Sequence, residues 1–163
     1  MVAVAGFSRG SALGIAQSPA RWIELREAVR LSARDAAEPW QTADFEAWIS
    51  TAGGAKRLNG MLVRTQPDDG SARGLEAYCS LCPHEICLVE YVRETKSVPM
   101  DAGPVPKHPL LVCSCHFSVF DPLQHGRAIS GPAHRGMYTF ELERSGDVIG
   151  IERVDAEILE LLG

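Results

Sequence analysis

All five cysteines of the chain lie within or beside two short stretches, and each stretch contains a histidine. The first reads C-x-H-x2-C, with Cys82, His84 and Cys87; the second reads C-x-C-H, with Cys113, Cys115 and His116. Cys79 stands just ahead of the first stretch. Thiolates and imidazoles are ligands for transition metals, and two of each on paired loops suit a metal centre. Taken pairwise, Cys82 and His84 form one ligand pair and Cys113 and His116 the other, which leaves Cys87 and Cys115, one on each loop. A zinc site is the alternative, with Cys79-x2-Cys82 joined by Cys113 and either Cys115 or His116.

Around these stretches the sequence reads as short strands separated by turn signals. RWIEL (21–25), MLVRT (61–65) and GLEAY (74–78) are strand candidates, the last two joined by the turn-rich QPDDGSAR. TADFEAWIS (42–50) is expected to form a short helix, capped by Thr42 or Asp44, with Phe45, Trp48 and Ile49 on one face. GGAKRLNG (53–60) is expected to be a loop. SVPMDAGPVPKHP has four prolines in 13 residues and must be an extended surface loop. LLVCSC, FSVF and RAIS are further strand pieces. MYTFELE and VIGIE flank RSGD, and the alternation of Tyr138, Phe140 and Leu142 predicts a β-hairpin. VDAEILELL closes the chain as a helical turn or two.

At 163 residues the chain can bury a core without metal or disulfides. Its 16 Lys and Arg against 21 Asp and Glu give a net charge of −5, and no basic run points to nucleic acid. No apolar stretch approaches the length of a membrane-spanning helix. Residues 1–20 read as a flexible lead-in or tether without the positive start of a signal peptide. Residues 21–163 form the expected domain, with a cysteine-rich subdomain over about 79–135. His108 and His125 are expected at the surface, Trp22, Trp40 and Trp48 in the core, and Cys79 as a small buried residue.

The two loops resemble those of the Rieske [2Fe–2S] proteins. The likeness continues through FSVFDP, through GPA at 131–133 and through MYTFELERSGDVIGIE, covering about residues 74–153. It implies an all-β fold: a Rieske-like sandwich of mainly antiparallel sheets, with an inserted cluster-binding subdomain and little helix. It also implies one [2Fe–2S] cluster, with Cys82 and Cys113 on the inner iron and His84 and His116 on the outer iron. Cys87 and Cys115 would form a disulfide between the loops. Gly131, Pro132 and Ala133 would cover the cluster. Ser118 matches a serine that donates to a bridging sulfide, whereas Phe120 stands where high-potential members carry a tyrosine.

Replacing two thiolates by neutral imidazoles removes negative charge, so reduction becomes easier. His84 and His116 would couple proton transfer to electron transfer. The cysteine pair favours the cytochrome bc-type branch or the small subunit of arsenite oxidase over oxygenase ferredoxins. The first expectation is therefore an iron–sulfur subunit taking single electrons from quinol beside cytochrome b and passing them to a c-type cytochrome. Such a subunit would sit on the periplasmic or outer face of a membrane, held by its complex or an anchor, and would not turn over alone. The alternative places the chain beside a molybdopterin subunit. Glu85 and Ile86 depart from the usual Leu-Gly of the first loop, and Phe117 from the usual Gly of the second. Glu85 sets a carboxylate near His84, where it would tune the potential.

Overall fold

The computed structural model describes residues 22–163. The expected lead-in, 1–20, lies outside the described residues. Among the described residues, ten strands form three antiparallel sheets. Strands β1 (Trp22–Ser32), β2 (Thr42–Thr51), β3 (Gly54–Arg64) and β4 (Leu75–Cys79) come first, followed by β5 (Val89–Val92) and β6 (Leu110–Cys113). Strands β7 (Ser118–Asp121), β8 (Arg127–Ser130), β9 (Phe140–Ser145) and β10 (Val148–Asp155) complete the set, and a single turn of helix, α1 (Ile158–Leu162), ends the chain. The sheet orders are β1-β10-β9, β2-β3-β4 and β5-β6-β7-β8.

The two three-stranded sheets share one core, the base of the molecule. Phe45, Ile49, Leu58 and Leu62 meet Phe140, Ile149, Ile151 and Val154 there. Phe45 and Phe140 pack edge to face with centroids 5.0 Å apart. At one side Cys79 N–H donates to the Tyr138 carbonyl at 2.8 Å, joining β4 to the run into β9. The four-stranded sheet lies between β4 and β9 in chain order.

Two segments differ from expectation. Residues 42–51 are a strand, not a helix, paired with β3 from Thr42 opposite Val63 to Thr51 opposite Gly54. Phe45, Ala47 and Ile49 are buried while Asp44, Glu46 and Trp48 point outward, a period of two. The GGAKRLNG segment is not a loop either, since β3 begins at Gly54 and only the tip turns. The remaining strand and hairpin expectations agree with the structure.

The tryptophans are not core residues. Trp22 and Trp40 are half-buried and Trp48 is exposed. His125 is exposed and bonded to Glu76. His108, expected at the surface, is instead half-buried: its Nε2 lies 2.8 Å from the Asp121 carboxylate and its ring stacks on Trp40. The proline-rich loop is extended but folded against its sheet. Val98, Met100 and Val105 cover Leu110, Val112 and Val119.

Candidate metal centre

The pairing of β5 with β6 sets Val89 opposite Cys113. That register brings the end of the first cysteine loop beside the start of the second. The first loop closes on itself: Leu81 bridges Leu88, Cys82 N–H donates to the Cys87 carbonyl at 2.8 Å, and Val89 N–H to Ser80 at 2.8 Å. The second loop is the turn between β6 and β7, with Cys113 opposite Ser118 and Phe117 at a φ of 60°. Cys87 and Cys115, 28 residues apart, form a disulfide across the two loops.

The remaining thiols divide. Cys82 and Cys113 are buried side by side in one apolar cluster with Tyr78, Leu111, Phe120 and Met137. Cys79 lies in the base core, bonded to no partner cysteine, and burial pushes its thiol up to about 11. Burial also raises Cys82, and the Cys113 thiol beside it adds to the shift, while the N–H groups of His84 and Glu85 point at its sulfur and oppose it. A sulfur that accepts backbone N–H bonds is prepared to carry charge as a thiolate.

His84 and His116 face one another from the two loops, rings perpendicular and centroids 4.9 Å apart. His84 Nδ1 is buried without a hydrogen-bond partner. A buried polar atom left unpaired is costly, and a metal bond would satisfy it. Two adjacent free thiols below and two converging imidazoles above fit a centre with thiolates at one end and imidazoles at the other. The zinc set built on Cys79 with Cys115 does not assemble, because Cys115 is consumed by the disulfide and Cys79 sits in a different core.

Such a donor set matches the Rieske [2Fe–2S] domain family, which fits residues 51–142 of the sequence. The chain belongs to the Rieske family. Its domain carries electrons through a [2Fe–2S] cluster, and the free thiols of Cys82 and Cys113 with the facing imidazoles of His84 and His116 could hold one. The soluble domain of Rieske protein II from Sulfolobus acidocaldarius is similar at 20% identity, over 61% of this chain and 63% of that one, with a TM-score of 0.44. A protein described as the small subunit of an NADPH nitrite reductase is similar at 12% identity, over 80% of this chain and 97% of that one, with a TM-score of 0.38. No curated protein matches the chain.

The other residues singled out in the sequence group around this Rieske site. Ser118 is fully buried, and its Oγ accepts the Ala133 N–H at 3.2 Å. Gly131, Pro132 and Ala133 therefore lie against the second loop. Gly131 has a φ of 81°, and a Cβ there would come within 2.5 Å of the Phe117 carbonyl, so only glycine permits the approach. Phe120 is fully buried against the cysteine pair. Glu85 reaches across to the opposite loop, its carboxylate 3.8 Å from His116 Nδ1. Sequence reasoning placed it near His84 only.

Two features had no signal in the sequence. Asp101, in the proline-rich loop, accepts the Gly131 N–H at 2.6 Å and holds the cover segment from outside. Ile86, Leu88 and Phe117, on the two histidine-bearing loops and the residue that leaves the first, are exposed apolar side chains.

Proposed function

We propose that this Rieske domain is the iron–sulfur subunit of a quinol-oxidising cytochrome bc-type complex and passes single electrons to a cytochrome. The observation that carries the reading is the Cys87–Cys115 disulfide between the two histidine-bearing loops. It braces loops that must stay exposed for a partner, and it suits an oxidising compartment, so the domain works at the periplasmic or outer face of a membrane. Cys82 and Cys113 would hold one iron, and His84 and His116 the other. When bound, the cluster supplies a one-electron couple.

The chain's own residues prepare the site. His84 and His116 stand at the rim, where an imidazole can exchange a hydrogen bond with a reductant and hold the proton that accompanies its electron. The apolar residues Ile86, Leu88 and Phe117 exclude water around them. Ser118 and the cover segment close the buried side.

A second reading is favoured by Glu85. A carboxylate 3.8 Å from His116 would meet a quinol that docked on that histidine. That suits a relay beside a molybdopterin subunit of the arsenite oxidase kind, in which no quinol binds.

Redox titration of the loaded chain, followed by visible circular dichroism, separates these from the ferredoxin reading. A positive potential supports a high-potential chain. A value near the lower Rieske limit, roughly −150 mV, would point to a ferredoxin. Reduction of the cluster-loaded chain by a quinol analogue, within a reconstituted cytochrome b complex, then separates the first reading from the second.

A further inference from the structure

On the flank of the molecule, beside the first cysteine loop, a groove of about 420 Å³ runs between the outer face of β2–β3 and the strand leaving that loop. Its apolar floor includes Met61, Leu88 and Val89, and its charged lining is Asp44, Glu46 and Glu90, with no Lys or Arg. Glu46 pairs with Arg57 at 3.2 Å, whereas Asp44 and Glu90 take no ion-pair partner among the described residues. The groove adjoins the first loop of the Rieske site. Leu88 belongs to both, lies next to the disulfide residue Cys87 and is 56% exposed. Ile86, two residues from His84, and Phe117, next to His116, are exposed as well, and the Glu85 carboxylate lies 3.8 Å from His116 Nδ1.

We propose that this flank, from Asp44 and Glu90 through Leu88 to Glu85, is the docking face for a redox protein that presents lysines or arginines around an apolar contact. The inference rests on the electron-transfer reading above and names the partner's chemistry. An apolar strip edged by unpaired carboxylates is complementary to a cationic rim around an apolar centre, the usual anatomy of a transient interface. A second copy is the wrong occupant, because the chain carries a net charge of −5 and would set carboxylates against carboxylates. Anionic lipid is repelled for the same reason. A partner seated here covers the Leu88 side of the loop that bears His84, so docking places it beside the Rieske site. Long-range attraction between the two faces speeds encounter and is screened by salt.

The test uses the cluster-loaded chain and a lysine-rich c-type cytochrome as probe, with binding followed by calorimetry and electron transfer by stopped flow across a range of ionic strength. The expected result is association that weakens as salt rises. The double reversal Asp44→Lys with Glu90→Lys should slow association about tenfold at low salt and flatten its salt dependence. Glu143→Lys, on the other three-stranded sheet, should change it less than about twofold, and all variants should keep the cluster spectrum and potential. Equal losses from Glu143→Lys, or unchanged binding and rate in the double variant, would overturn the docking face. So would self-association of the wild type that the double variant abolishes. Groove-dependent binding without electron transfer would leave the docking face standing and sink the electron-transfer reading. Fast transfer insensitive to the groove would do the reverse.

Discussion

Ser118 and Phe120 occupy the same face of β7, two residues apart, and both are fully buried. The Ser118 hydroxyl accepts the Ala133 N–H and so keeps its own hydrogen free to donate. A donor to a cluster that gains negative charge on reduction favours the reduced form. One such bond contributes about 1 kcal/mol, which for a one-electron couple is about 40 mV. Ser118→Ala should therefore lower the midpoint potential by about that amount. Phe120→Tyr adds a hydroxyl within the cluster of side chains that holds Cys82 and Cys113, and should raise it by a similar amount. Redox titrations by visible circular dichroism read both, and a fall in the tyrosine variant would show that its hydroxyl does not reach the cysteine sulfurs. These residues were legible in the sequence because each lies within a few positions of a ligand in a fixed pattern. The approach of Glu85 to His116 was not, since it depends on how two loops separated by β5 and β6 meet in space.

At the scale of the element, β2 shows how two periods compete in one short segment. Phe45, Trp48 and Ile49 satisfy a helical face, but Phe45, Ala47 and Ile49 satisfy a strand equally well. The decision came from the partner strand. Residues 54–64 offer Leu58 and Leu62 to the same core, and pairing along the whole hairpin outweighs the local helical preference. Nothing in GGAKRLNG by itself announces that strand, because its outward residues are polar and glycine-rich. Gly60 has a reason of its own. It lies opposite Phe45, and a Cβ there would come within 2.2 Å of the phenyl ring. Gly60→Ala should therefore force the ring from its place against Phe140 and destabilise the domain by about 1–3 kcal/mol, the cost of overpacking. Thermal denaturation should show a lower midpoint, with the cluster's potential unchanged because the strain falls in the base.

The whole molecule is a base and an inserted sheet joined at few points, so its stability depends on how those points are tied. Trp40 is one tie. Its N–H donates to the Arg64 carbonyl at 2.6 Å, its carbonyl accepts from Tyr91 Oη at 2.9 Å and from Arg93 Nη2 at 2.6 Å, and its ring stacks on His108. A second tie is the apolar cluster in which Val63 and Tyr78 of the base meet Leu111 and Phe120 of the inserted sheet. The disulfide lies wholly within the inserted part, yet these ties should spread its effect. Closing a loop of 28 residues removes unfolded-state entropy worth about 3.5 kcal/mol. For a domain of this size that corresponds to a midpoint shift of roughly 10 °C. The double variant Cys87→Ala with Cys115→Ala should therefore melt roughly 10 °C lower in a single calorimetric transition. A single transition is expected because Val63 and Tyr78 lie on β3 and β4, so opening the inserted sheet uncovers residues of the base itself. Two separated transitions, with the upper one unmoved, would instead show that the base folds independently and that the disulfide stabilises the loops alone.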